Sequence, residues 1–391
     1  MSEREPVSVR PVPTEEHRRS VDLFRLATHG PPTGDEEWSV LAGTIDPDGT
    51  LGAYTGGELV GTCHSTPNHV HVPGGRLPAR AVGRMAVHPT HTRRGVATEL
   101  LGDLLRSVVE PVVILRSSAD TLYRRLGFGI ATWCRDIEVD SPQATANAAG
   151  RVRISELETD AESVPELYRR MRTRPGMVDR PDHLAALYRL TARSDPRLLL
   201  AVHSGASSED AFALYSVQAQ ADRTVLDVAD LHSASAPGWA GLTRYLLAVP
   251  LVDQVILRAR PLDEPIRWLC PDLRACRTDR VRPELWLRLV DVPAALAIRG
   301  YHGENPVVID VRDPLLPANS GHYLISRAGA CRTTEPAHLT MAVDTLAALY
   351  LGGARPSALA ATGHITVHRD VLATADRLFA TETTPWCGTY I

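Results

Sequence analysis

The stretch Ala81-Val82-Gly83-Arg84-Met85-Ala86-Val87, His88-Pro89-Thr90-His91-Thr92, Arg93-Arg94-Gly95-Val96-Ala97 decides how this chain is read. Val82 to Val87 reads as a short apolar strand, and the His88–Thr92 segment ends it because Pro89 cannot donate to a ladder. Beyond it Val96, Leu100, Leu101, Leu104, Leu105 and Val108 recur at helical spacing. A glycine at such a turn lets backbone approach a ligand, and first-turn N–H groups have no partner inside the helix. The helix dipole, Arg93 and Arg94 all add positive potential, so the turn is an anion cradle suited to a pyrophosphate. It is neither a P-loop, since no G-x-x-x-x-G-K-[ST] is present, nor a Rossmann fingerprint, since only Gly95 and Ala97 stand in the turn.

Downstream come a strand, Val112–Arg116, and a short helix Leu122-Tyr123-Arg124-Arg125-Leu126-Gly127-Phe128, then a closing strand running from Ile130 to Val139. Upstream, Val7–Arg10 reads as an edge strand and Thr14–Ala27 as a helix. Asp35-Glu36-Glu37-Trp38 begins the next element, and Val40–Ile45, Gly52–Tyr54 and Leu59–Thr66 read as strands, with Gly56-Gly57 as a hairpin turn. The order gives an α/β domain with a mixed sheet over 1–145. The polar, small-residue-rich stretch from Asp140 to Gly150 reads as a linker.

A second set of elements over 146–284 echoes the first: helices at Glu162–Arg172, Asp182–Arg193 and Trp239–Val249, strands at Leu198–His203, Phe212–Gln218, Val225–Leu231 and Val255–Ala259. The turn before its last helix, Ser233 to Gly238, has no arginine and no cradle. Over 285–391 the pattern changes to a strand at Leu285–Leu289, a helix at Val292–Ile298, strands at Val307–Val311 and His322–Ile325, and helices at Met341–Leu351 and Leu372–Phe379. The final Pro385-Trp386-Cys387-Gly388-Thr389-Tyr390-Ile391 is too apolar for a disordered tail and is expected to pack.

Composition bounds the possibilities. A chain of 391 residues with 44% hydrophobic and 23% charged residues has room for two or three globular domains. A net charge of −4 argues against a general nucleic-acid binder. The six cysteines form no C-x-x-C pair or zinc spacing, so no metal is expected and free thiols are the default. Met1 to Pro6 is charged and no apolar run follows, and the most apolar window, Tyr245–Leu257, is broken by Pro250 and Asp253. No signal peptide or membrane span is expected, and the expected location is the cytoplasm.

The R-G-x-A turn and the Tyr123-Arg124-Arg125-Leu126-Gly127-Phe128 run, with a strand between them, together resemble the acetyl-CoA signature of the GNAT acyltransferases. That superfamily usually carries Gln or Arg three places before the glycine, where this chain has Thr92. The domain order resembles the Eis family of actinobacterial acetyltransferases: an active GNAT domain, a GNAT-like domain without cofactor, and a sterol carrier protein-like α+β domain. Val87-His88-Pro89-Thr90-His91, the run from Leu285 to Leu296, and the closing Cys387-Gly388-Thr389 look like the same family. The resemblance implies tandem GNAT folds with mixed sheets and direct acetyl transfer from acetyl-CoA to amines in a ternary complex. It implies acceptors such as aminoglycosides, at several positions, as in antibiotic resistance, or protein lysines; it also implies a homohexamer.

By the same resemblance Tyr123 is the general acid and the carboxylate of Ile391 the base, where family members usually end in phenylalanine. Implied cofactor contacts are Met85, Ala86 and Val87 through their backbone, Arg93, Arg94, Gly95, Val96, Ala97 and Thr98 in the turn, and Ser118 and Ala119. Phe24, Trp38 and Tyr390 are candidates for the acceptor pocket. The residues themselves leave blander readings open. Tyr123 and Trp38 could be packing aromatics, the arginines a solvated turn, and Asp35-Glu36-Glu37 a solvated acidic run rather than a pocket for cations. His64, His69, His71, His88 and His91 lack metal-ligand spacing. A non-enzymatic lipid- or partner-binding scaffold is the alternative from another class, opposed by the intact cradle and Tyr123.

Overall fold

A computed structural model describes residues 6–117, 120–140, 150–181, 183–205, 208–220 and 222–389. They form two compact units, the first holding the chain up to Thr132 with Glu284–Pro385, the second Trp133–Pro283 with Trp386–Thr389. Among the described residues no helix is long and apolar enough to cross a membrane.

The first unit opens with β1 (Ser8–Pro11), α1 (His17–Ala27), α2 (Asp35–Leu41), β2 (Thr50–Thr55), β3 (Glu58–Val72) and β4 (Gly75–Val87). It continues with α3 (Val96–Ser107), β5 (Val112–Leu115), α4 (Asp120–Arg125) and β6 (Gly129–Ile130). Strands β1 to β4 run antiparallel. Gly56 and Gly57, at φ 57° and 83°, close the expected two-residue hairpin between β2 and β3, which only residues tolerant of positive φ can do. The cradle strand is longer than the sequence suggested. Leu77, Ala79 and Ala81 are buried in alternation with more exposed residues, and β4 pairs with β3 from Gly75 onward. The expected strand at Val40–Ile45 is helical instead, α2 followed by a 3-10 turn at Ala42–Thr44. Asp35, Glu36 and Glu37 fill the first turn of α2, where negative charge complements the dipole.

Helix α3 buries Val96, Leu100, Leu101, Leu104 and Leu105, as their spacing requires; each such burial contributes about 1.5–3 kcal/mol. It lies hard against β3 at Gly61, where an added Cβ would stand 2.8 Å from Val96 Cγ1 and 2.9 Å from Leu100 Cδ1.

Two strands leave the places that local pattern suggested. Trp286–Leu289, expected to open a third domain, is inserted into the first sheet between β5 and β6, antiparallel to both. All four of its residues are buried, a pattern that suits only a strand covered on both faces. The strand expected to run unbroken from Ile130 divides at Ala131-Thr132. There the amides bond Leu285 O at 2.9 and 3.3 Å, Thr132 Oγ1 donates to Glu284 at 3.0 Å, and Trp133–Asp140 joins the sheet of the second unit.

The remainder of the first unit is a five-stranded sheet whose central strand, Val307–Arg312, runs parallel to Leu339–Ala342. The helix expected over Met341–Leu351 starts only after that strand, at Val343–Tyr350. A Cβ at Gly129 of β6 would sit 2.1 Å from Asp344 O, so this helix and β6 touch backbone to backbone. Arg288 and Asp313, both fully buried, pair at 2.7 and 2.8 Å, and Arg288 Nε donates to Leu126 O at 2.7 Å.

In the second unit the parallel strands Thr224–Ser233 and Gln254–Pro261 flank helix Ala236–Leu247, the same strand–helix–strand arrangement as β4, α3 and β5. Here the helix start is already satisfied. Ser235 Oγ accepts from Gly238 N at 2.9 Å and donates to Asp210 at 2.5 Å, and Asp210 also pairs with His203 Nδ1 at 2.6 Å. Burial pushes the Asp210 carboxyl up, but the bonds from Ser235 and His203 outweigh it and hold the carboxyl below its ordinary range. A Cβ at Gly238 would meet that carboxylate at 2.7 Å. An internal anion stands where a cradle would need open space.

Gly127 sits at φ 82°, and a Cβ there would lie 2.8 Å from both Arg288 Nε and Val343 Cγ1. We expect Gly127→Ala to destabilise the first unit by about 1–3 kcal/mol, since it adds left-handed strain to a clash with a buried guanidinium. Denaturant unfolding followed by circular dichroism checks this; an unshifted transition would contradict it.

Candidate active site

The site is built where β4 and β5 part. They pair from Ala79–Val112 to Val82–Leu115; β5 then ends, and β4 runs on to Val87. Among the described residues no strand pairs with residues 83–87 on the edge turned away from β3, which leaves that edge open to a ligand's hydrogen bonds. On the β3 side the register shifts: His64 faces Gly83 and Thr62 faces Ala86, so Arg84 and Met85 together stand against Cys63 alone. Arg84 takes φ 36°, and the bulge kinks β4 beside the gap.

The end of β4 leads through His88 into the turn. Gly95 caps α3 at φ 90°, with no side-chain hydrogen bond to the helix start. Among the described residues a Cβ added at Gly95 would meet nothing within 4 Å, so the glycine is demanded by conformation rather than by crowding. Arg93, itself at φ 60°, and Arg94 are exposed and form no ion pair among the described residues. Unmet first-turn N–H groups, open space and two uncommitted cations make a site that fits a pyrophosphate. Thr92 Oγ1 donates to Pro89 O at 3.2 Å, so its hydroxyl shapes the turn.

Tyr123, on α4, is 6% exposed, and its hydroxyl lies 3.8 Å from Met85 Sδ on the bulge. Phe128 packs edge-on to its ring at 5.7 Å, and Trp286 lies tilted at 6.1 Å. Burial raises the phenol above its ordinary pKa against the opposing hydrogen bond from Ser117, so Tyr123 keeps its proton and can donate it. The strand edge and the tyrosine, read separately from the sequence, thus meet. Ser118, Ala119, Tyr390 and Ile391 lie outside the described residues.

Phe24 packs against a cluster containing Ala86, which brings α1 against the bulged strand. Trp38 is partly buried on α2. The acidic run beside it is largely committed: Asp35 pairs with Arg18 at 2.7 Å, and Glu37 with Arg25. Arg84 stands near the Arg25–Glu37 pair, its pKa lowered chiefly by burial and then by Arg25. Two of the three acids in the run thus have arginine partners on α1. His64 bonds Ser20 Oγ at 3.0 Å, and burial, with Arg84 and His17 nearby, pushes it down to about 3, so it is a neutral structural group. Among the described residues no cluster of three or more His, Cys, Asp or Glu side chains is placed to hold a metal. Sequence reading missed Arg84 and Trp286. The first had a signal, a charge inside an apolar strand; the second is 163 positions downstream of Tyr123 and had none.

Family models agree with this architecture. Two acetyltransferase (GNAT) domain models match residues 8–131 and 176–289, and a sterol carrier protein domain model matches 292–388. An uncharacterised N-acetyltransferase of Streptomyces coelicolor is 33% identical, covering 91% of this chain and 93% of the relative. The N-acetyltransferase Eis of Mycobacterium tuberculosis is 30% identical over 95% of this chain and 96% of its own length. The crystal structure of Eis1 from Mycobacterium abscessus superposes with a TM-score of 0.89 at 32% identity, covering 99% of this chain and 100% of that one. A GCN5-related N-acetyltransferase from Anabaena variabilis shares the fold at a TM-score of 0.86 and 19% identity. The chain belongs to the Eis-type GNAT N-acetyltransferases, acyltransferases of a superfamily that uses acetyl-CoA.

Proposed function

We propose that this enzyme acetylates primary amines directly from acetyl-CoA bound at the parting of β4 and β5, with Tyr123 as general acid. The observation that carries the reading is the buried hydroxyl of Tyr123 against Met85 on the strand edge that leads into the open cradle. Acetyl-CoA, when bound, supplies the activated thioester. Arg93, Arg94 and the N–H groups of Val96, Ala97 and Thr98 hold its pyrophosphate, the backbone of Met85, Ala86 and Val87 aligns its acyl arm, and Ser118 and Ala119 add contacts.

The amine nitrogen forms a bond to the acetyl carbon as the C–S bond breaks. The carboxylate of Ile391 takes the amine proton, and Tyr123 gives its proton to the leaving sulfur. A carboxylate of ordinary pKa is a weak base toward an alkylammonium, so its contribution is to hold the amine and receive a proton that becomes acidic as the N–C bond forms. Phe24, Trp38 and Tyr390 shape the acceptor pocket. Aminoglycosides are the first acceptor class. Lysine side chains of proteins are the second class. A homohexamer, as the family resemblance implies, is the assembly we propose.

Thiol release from acetyl-CoA, measured with a kanamycin-type aminoglycoside and with a lysine peptide, tests the reaction and ranks the two classes. Amine-dependent release is expected, and its absence with both would contradict the reading. Tyr123→Phe should lower kcat about 10²–10⁴-fold with little change in acetyl-CoA KM. The raised phenol also places the alkaline fall of kcat above about pH 10, the ordinary tyrosine pKa. Replacing Arg93 and Arg94 together by alanine removes charge-assisted contacts worth about 1.5–3 kcal/mol each. Calorimetric titration should show acetyl-CoA affinity falling at least about tenfold, and falling less at high salt.

A further inference from the structure

Within the second unit, the segment Trp386–Thr389 is held by an unusual concentration of buried polar groups. Arg180, with its side chain 3% exposed, donates from Nε to Thr389 Oγ1 at 2.5 Å and from one terminal nitrogen to Gly388 O at 2.9 Å. The same guanidinium bonds both oxygens of Asp230, at 2.5 and 3.2 Å. His232, its side chain fully buried, reaches Asp230 at 2.8 Å and Gly388 O at 3.2 Å through Nε2. Arg180 reaches the same nitrogen from a terminal guanidinium nitrogen at 3.1 Å, so the three side chains converge on one point beside Gly388.

Apolar packing completes the grip. The Trp386 indole lies 5.0 Å from the His232 ring, its Nε1 donates to Ala259 O at 2.7 Å, and its amide donates to Pro175 O at 2.8 Å. Arg260 stacks over the indole at 4.8 Å, and Arg180 over Tyr168 at 4.0 Å. Gly388 takes φ 64°, and a Cβ there would stand 2.5 Å from the Trp386 ring, so the segment is folded back upon its own indole.

A desolvated guanidinium–carboxylate pair contributes little net stability compared with apolar groups of the same volume, whereas its directed donors fix geometry. Burial pushes the Asp230 carboxyl up, but Arg180 and then His232 outweigh it and hold it well below the carboxylate range; burial keeps His232 neutral. The charge pattern of the grip is thus constant around neutral pH.

We propose that Arg180, Asp230 and His232 are a clamp of positioning residues for residues 386–389, and that this is the work of the GNAT-like domain whose own helix start is filled by Asp210. The clamp fixes the backbone two positions before Ile391, and its bearing on turnover rests on the role proposed above for the Ile391 carboxylate.

The test is hydrogen–deuterium exchange of the 385–391 peptide in the full-length protein, read beside kcat and acetyl-CoA KM. Arg180→Ala strands Asp230 in the interior and can unfold the unit. Thr389→Val, which removes one acceptor at constant shape, and Gly388→Ala, which blocks the fold-back, are therefore run with it, with exchange in Leu226–Val228 as the control for folding. Expected is tail exchange faster by about tenfold or more with the control unchanged, and kcat reduced with KM for acetyl-CoA unaltered. Faster tail exchange with unaltered kcat would support the clamp and overturn the role of the Ile391 carboxylate. Unaltered tail exchange in Thr389→Val and Gly388→Ala would overturn the clamp.

Discussion

A helix cannot satisfy its own first N–H groups, and this chain meets that constraint in two opposite ways. At Gly95 the helix start is left bare among the described residues: no side chain caps it, a Cβ there would meet nothing within 4 Å, and the two arginines beside it form no ion pair. At Ser235 the start is closed by a hydroxyl, with the Asp210 carboxylate resting on the first turn. The two strand–helix–strand frames share their parallel pairing. What separates a ligand site from a structural module is whether the anion comes from outside or from within. Because Asp210 is held charged by Ser235 and His203, an incoming phosphate at that helix would face repulsion as well as a lack of room.

Much of the first site was legible because its signals are local. Gly95 needs positive φ, the arginines need no partner, and the α3 leucines repeat at the helical period. The pairing of Tyr123 with Met85 was also accessible, since both flank a single parallel crossover. Pairings made over long separations were not. Trp286–Leu289 reads as an ordinary apolar strand wherever it is placed, and only its burial on both faces shows why it fills the edge of β5. The helical fate of residues 40–44 was hidden for another reason. Val40 and Ile45 look strand-like, but the start of that element was set by three carboxylates upstream, two of them engaged by arginines of α1.

Electrostatics inside the molecule also divide the labour among its titratable groups. Burial keeps Tyr123 protonated and His64 neutral, so one can donate a proton while the other only packs and hydrogen-bonds. In the second unit burial alone would discharge Asp230, yet Arg180 keeps it ionised, and that ionised pair is what holds the main chain of Gly388 and the side chain of Thr389. A domain whose helix start is closed by its own carboxylate thus directs buried charge at the chain itself.

On the geometry of their helix starts, we infer that one of the two GNAT frames binds acetyl-CoA and the other does not. Calorimetric stoichiometry with the full-length protein distinguishes the two frames. One equivalent of acetyl-CoA per chain is expected, lost or strongly weakened when Arg93 and Arg94 are replaced by alanine. Two equivalents per chain, or a single equivalent indifferent to those arginines, would contradict it.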